Sequence, residues 1–175
     1  TAGGRTRRPS ATVRRCPGED PARIVIDPRG RLPDDAPVLA GNGARRILVQ
    51  AVDRRRPAGV EVLRLEARDG RIDPAAIGRA LRAAGLGNLL VEGGGVTIAR
   101  FLEAGSLTRL QIAIAPLLIG GGPQGLSLPS PVEQLKHAIR PQLRTFSLGS
   151  DVVFDCALDE RAAAANRPVH RPADA

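Results

Sequence analysis

The chain has 175 residues, a length that fits one domain rather than two. Hydrophobic residues at 42% and 20 glycines belong to an ordinary globular protein, and no apolar run approaches the roughly 20 residues of a membrane span. The formal net charge of +8 raises nucleic acid as a partner, but aromatics at 2% leave almost no stacking platform. The arginines are scattered as well, so a solvated cationic surface is the favoured reading and neither nucleic acid nor membrane is expected as a partner.

Residues 1–22, rich in Gly, Pro and Arg, carry little apolar periodicity and read as loop. Arg23-Ile24-Val25-Ile26 is a short β-branched run stopped by Asp27-Pro28-Arg29-Gly30, which predicts a buried strand and a turn. Arg46-Ile47-Leu48-Val49-Gln50 repeats that form, and residues 60–65 alternate apolar and polar with a period near two. Asp73-Pro74 supplies an N-cap and a proline at the first helical position. Ile77, Ala80, Leu81 and Ala84 then fall on one face before Gly85 ends the helix. Residues 88–92 predict a strand with Glu92 at its end, Gly93-Gly94-Gly95 follows, and residues 96–104 predict a second helix closed by Gly105. Residues 110–115 are another strand. The segments 143–148 and 152–156 form a hairpin turned at Gly149-Ser150. From Asp159 onward the composition predicts a disordered tail, 159–175. Strand, crossover helix, strand with near-continuous apolar strands predicts an α/β fold whose sheet is mostly parallel and covered on both faces.

Several chemistries are absent. Lys136, the sole lysine, has no glycine loop before it, which excludes a P-loop. Cys16 and Cys156 form no C-x-x-C pair, so no metal site or disulfide framework is expected and a reducing cytoplasm fits. No secretory signal is legible. With His137 and His170 the only imidazoles and no G-x-S-x-G turn, a hydrolase triad is not expected.

Two constellations point to an anionic cofactor. Gly93-Gly94-Gly95, between a buried strand and a helix, lets a pyrophosphate approach backbone N–H groups at a positive helix end; a simple turn is the alternative. Glu92 closes an apolar strand, and such a carboxylate faces a cleft, where it binds sugar hydroxyls or tunes proton transfer, or else caps neighbouring N–H groups. Asp27-Pro28-Arg29-Gly30-Arg31 puts two guanidiniums beside a strand end, a geometry suited to a phosphate monoester such as the 2′-phosphate of NADP; ordinary solvated surface arginines are the alternative.

The string Leu89-Leu90-Val91-Glu92-Gly93-Gly94-Gly95, followed by Phe101-Leu102-Glu103-Ala104-Gly105 and Ile114-Ala115-Pro116-Leu117-Leu118-Ile119-Gly120-Gly121-Gly122, resembles the reductase domain of the bifunctional riboflavin-biosynthesis deaminase/reductase. That resemblance implies a dihydrofolate-reductase-like three-layer fold over residues 23–158, with helices on both faces and a C-terminal antiparallel hairpin. It implies NADPH-dependent reduction of the ribose of 5-amino-6-(5-phosphoribosylamino)uracil to a ribityl chain. Carried over, Glu92 is the catalytic residue and, with Arg14, binds the phosphorylated substrate. Gly93, Gly94, Gly95, Gly4, Thr6, Asp27, Arg29 and Arg31 line the cofactor, Gly4 and Thr6 through the segment Gly3-Gly4-Arg5-Thr6. A cytoplasmic homodimer is implied too. The family's domain opens with a strand and helix that shape the pocket. This chain begins on Thr1, after them, so residues 1–22 read as the remnant of the cofactor-binding N-terminal part. The alternatives are another reductase of that superfamily, or a catalytically silent remnant serving as a dimerisation or binding module.

Overall fold

The computed structural model describes residues 17–41, 43–122, 125–128 and 133–159. The chain forms two compact units, Thr1–Gly87 and Asn88–Ala175.

In the first unit, β1 (Arg23–Ile26), β2 (Arg46–Gln50) and β3 (Val60–Arg64) form a parallel sheet in the order β1-β2-β3. Ile24 faces Ile47 across one ladder, and Ile47 faces Glu61 across the other. Ile47, Leu48 and Val49 are each 0% exposed, so β2 is covered on both sides. Its unbroken apolar run is what a doubly covered parallel strand requires. Arg23 is buried despite its charge, because its guanidinium donates to the carbonyls of Val38 (3.1 Å) and Ala40 (2.9 Å). These bonds tie the 3₁₀ turn Pro37–Leu39 to β1.

A two-stranded antiparallel ribbon, β4 (Ala67–Arg68) and β5 (Arg71–Ile72), follows. It turns at Asp69-Gly70, both with positive φ (52° and 71°), the backbone of a two-residue hairpin loop. Helix α1 (Pro74–Ala83) begins where Asp73 accepts a hydrogen bond from the Ala75 amide at 3.1 Å. It buries Ile77 and Leu81. It stops in a Schellman arrangement: Gly85 (φ 86°) donates to Arg82 and Leu86 to Leu81, both at 3.0 Å. Arg45 bridges the Ala84 carbonyl at this helix end (2.7 Å) and, bidentately, Glu61 (2.6 and 2.7 Å). Hydrogen bonding to Arg45 holds the Glu61 carboxyl below its ordinary value and raises the guanidinium in turn.

In the second unit, α2 (Gly95–Glu103) buries Ala99 and Phe101 and ends in the same manner at Gly105. β6 (Arg109–Ile114), β7 (Gln142–Leu148) and β8 (Asp151–Ala157) form an antiparallel sheet in the order β6-β8-β7. The C-terminal hairpin expected from the sequence is the β7–β8 pair, turned at Gly149 (φ 63°). Arg109 pairs with buried Asp155 at 2.8 Å.

Two expectations need correction. Residues 88–92 belong to no strand, and among the described residues they pair with no neighbour; Leu90 is 83% exposed. Their apolar sequence is strand-like, but a strand exists only where a partner satisfies its N–H and C=O groups. Among the described residues the parallel ladders are those of β1–β3, and the pairings of the second unit are antiparallel, so the sheet is less parallel than the sequence suggests. Among the described residues no helix is long and apolar enough to cross a membrane.

Candidate functional site

Gly94 is the N-cap of α2, with φ −67° and ψ 162°, and no side chain caps the helix. Its carbonyl accepts from the amides of Thr97 (2.9 Å) and Ile98 (3.3 Å), while the amides of Gly95 and Val96 have no intrahelical acceptor ahead of them. The three glycines are not equivalent. A Cβ at Gly93 would stand 3.0 Å from the Thr97 Cβ, whereas one at Gly94 would meet nothing within 4 Å. Gly93 thus serves the close packing of the first helical turn, and Gly94 leaves open space beside uncapped amides. Glu92, immediately before this run, is exposed. The second glycine run, Gly120-Gly121-Gly122, is exposed and outside regular structure.

Asp27, Arg29 and Arg31 share one loop in the first unit, at the carboxyl end of β1. The Gly30 amide closes a turn onto the Asp27 carbonyl at 3.0 Å, with Pro28 at the position that favours its fixed φ. Gly30 is required twice over: its φ is 64°, and a Cβ there would stand 2.7 Å from the Val52 Cγ2. The Asp27 carboxylate faces inward, accepting from the amides of Arg31 (2.8 Å) and Leu32 (2.9 Å) and from the Arg56 guanidinium (2.7 Å). Burial pushes this carboxyl up, but the Leu32 and Arg31 amides and then Arg56 outweigh it and hold it below its ordinary value. Asp27 therefore builds the loop. Arg29 and Arg31 are exposed and form no ion pair among the described residues. Arg29 lies against the β4–β5 turn, since a Cβ on Gly70 would stand 2.7 Å from its Nη2.

Sequence reasoning missed the groups behind this loop. Arg54-Arg55-Arg56 falls among the arginines expected on a solvated cationic surface, yet the Arg56 side chain is 0% exposed. It donates to Gln50 Oε1 (3.0 Å), the Leu32 carbonyl (2.6 Å), Asp34 Oδ1 (3.0 Å) and Asp27 Oδ2. Arg54 reaches the Gly30 carbonyl and Asp34, and Gln50 donates to the carbonyls of Val52 (2.9 Å) and Arg54 (2.8 Å). The one signal in the sequence is Gln50, a polar residue ending an apolar strand. Gly4, Thr6 and Arg14 lie outside the described residues. Glu92, Gly93, Gly94 and Gly95 are contiguous in the second unit, and Asp27, Arg29 and Arg31 belong to the first.

Three parallel strands with arginine-bearing loops at their carboxyl ends in the first unit, and an antiparallel sheet with a glycine-opened helix in the second, define a mixed α/β fold. Solved structures share it. A Saccharomyces riboflavin biosynthesis reductase superposes with a TM-score of 0.65 at 20% identity, covering 81% of this chain and 71% of its own. A deaminase/5-amino-6-(5-phosphoribosylamino)uracil reductase from Thermotoga maritima gives 0.70 at 19% identity, over 86% of this chain and 41% of its own. The chain belongs to the RibD C-terminal domain family, whose profile matches residues 4–154. It is 30% identical over 146 residues to the riboflavin biosynthesis protein RibD of Actinobacillus pleuropneumoniae, which covers 78% of this chain but 39% of that protein. It is 28% identical over 159 residues to a 2,5-diamino-6-ribosylamino-4(3H)-pyrimidinone 5′-phosphate reductase of Methanothermobacter thermautotrophicus, covering 84% of this chain and 72% of the relative.

Proposed function

We propose that this chain is an NADPH-dependent reductase of riboflavin biosynthesis, converting the ribose of 5-amino-6-(5-phosphoribosylamino)uracil to a ribityl chain. Residues 23–158 are then its reductase domain, with helices on both faces of the central sheet, and it acts in the cytoplasm. The observation that carries the reading is the uncapped start of α2 beside Gly94, directly after exposed Glu92, in a chain of this family. Those amides suit a pyrophosphate, and the open volume at Gly94 lets it approach. Arg29 and Arg31 suit the 2′-phosphate, as planar cations free to form paired hydrogen bonds with its oxygens.

When bound, NADPH supplies the hydride that adds to C1′ of the substrate ribose. The chain's own residues orient the reactants. Glu92 holds ribose hydroxyls beside the glycine run, and the arginines offset the charge of two anionic ligands. Gly4 and Thr6 complete the cofactor contacts and Arg14 the substrate contacts. A homodimer belongs to the same reading. Ile112, Ile114, Leu143 and Val152 are exposed on one side of the β6-β8-β7 sheet, as their cross-strand register dictates, and an uncharged face can meet its own copy without like-charge repulsion. Sedimentation should find a dimer that Ile114→Lys converts to monomer; an unchanged mass would remove this part of the reading.

Gly94→Val tests the cofactor site. The position is extended and open, so the fold and its circular dichroism should persist, while the new side chain fills the space in front of the amides. Calorimetry should show saturable NADPH binding that the variant weakens by at least about tenfold, the loss of one or two charge-assisted hydrogen bonds. Wild-type protein that binds no NADPH, or a variant that binds it equally well, would refute the assignment.

A further inference from the structure

Arg56 carries a full charge on a side chain with no solvent exposure, which is tolerated only where the guanidinium is extensively bonded. Its partners come from three places: Gln50 at the end of β2, Asp27 at the end of β1, and Leu32 and Asp34 farther along the loop that follows β1. One planar group thus ties together the two loops that leave the carboxyl ends of adjacent parallel strands. The backbone joins them as well, with the Ala51 amide on the Pro28 carbonyl at 3.1 Å. The bond to Asp27 matters most, because that carboxylate also accepts the amides of Arg31 and Leu32. The orientation of residues 29–31 therefore depends on a cation that itself touches no solvent.

We propose that Arg56 is a positioning residue for cofactor selectivity, holding the post-β1 loop so that Arg29 and Arg31 face the 2′-phosphate of NADPH together. The assignment rests on the reductase reading above. Arg56 would not contact the cofactor. It acts through Asp27, with Asp34 as the outer brace shared between Arg54 and Arg56. A lysine can keep the charge but cannot span Gln50, Leu32, Asp34 and Asp27 at once.

The test measures binding of NADPH and of NADH, which lacks the 2′-phosphate, to wild-type protein, Arg56→Lys and Asp34→Asn, with circular dichroism as the control for folding. Wild type should prefer NADPH by about tenfold or more, the worth of a paired phosphate contact. Arg56→Lys should erase most of that preference while NADH affinity changes less than about twofold, since only the 2′-phosphate contacts are displaced. Asp34→Asn, at an exposed position where folding is safe, should reduce the preference by about threefold, as it removes one of several braces. If Arg56→Lys fails to fold, Asp34→Asn decides alone. A folded variant that keeps the wild-type ratio, or one that weakens both cofactors equally, overturns the inference and leaves the reductase reading intact. Wild-type protein that binds neither cofactor overturns both.

Discussion

Replacing Asp27 with asparagine should cost about 3 kcal/mol of stability at neutral pH, the scale set by charged hydrogen bonds lost inside a protein. Asp27 is 9% exposed, and its carboxylate accepts three hydrogen bonds, at 2.8, 2.9 and 2.7 Å, from Arg31, Leu32 and Arg56. Asparagine is nearly isosteric but has one acceptor oxygen, and its amide nitrogen would confront a donor. The effect has a definite pH dependence. The carboxyl is held below its ordinary value in the folded state, so its contribution is fully present above the unfolded pKa of about 3.9 and is lost as pH falls through the folded value. Once protonated, Asp27 offers one donor and fewer acceptor sites, much as asparagine does. Urea unfolding of both proteins between neutral and acid pH should therefore show a deficit that shrinks toward zero in acid. A deficit under about 1 kcal/mol at neutral pH, or one that persists unchanged to about pH 2, would refute the assignment of Asp27 as the loop's charged keystone.

Gly30→Ala should destabilise by about 1–3 kcal/mol, since the residue must hold a positive φ of 64° and its Cβ would press on Val52; thermal unfolding within experimental error of wild type would show that the turn relaxes. Asp73→Ala should cost about 1 kcal/mol through loss of the bond to the Ala75 amide, and restoration by Asp73→Ser in the same unfolding assay would identify capping as the cause.

Much of the fold is legible in the sequence because its signals are local. The apolar run of β2, the Asp73-Pro74 start of α1, the glycine stops of both helices and the Gly149 turn each specify their element from neighbouring residues. What is not legible is pairing. Residues 88–92 are as strand-like as β2, but only the arrangement of partners decides whether they enter a ladder, and among the described residues they do not. The β4–β5 ribbon could have been found, since Asp69-Gly70 is a strong hairpin signal. Arg56 could not. It lies 29 residues from Asp27 and 22 from Asp34, and no spacing rule separates it from Arg55, which is exposed. The same limit applies to the site: residues 92–95 and 27–31 stand out by composition, whereas the inward turn of the Asp27 carboxylate emerges only from the folded loop.

The most direct test of the reductase assignment is turnover of NADPH with 5-amino-6-(5-phosphoribosylamino)uracil, following cofactor absorbance and identifying the product by mass spectrometry. The reductase assignment requires one NADPH oxidised for each ribityl product formed, with both signals lost in a folded Glu92→Gln variant that still binds cofactor. Folded wild-type protein that binds NADPH yet forms no ribityl product would contradict it.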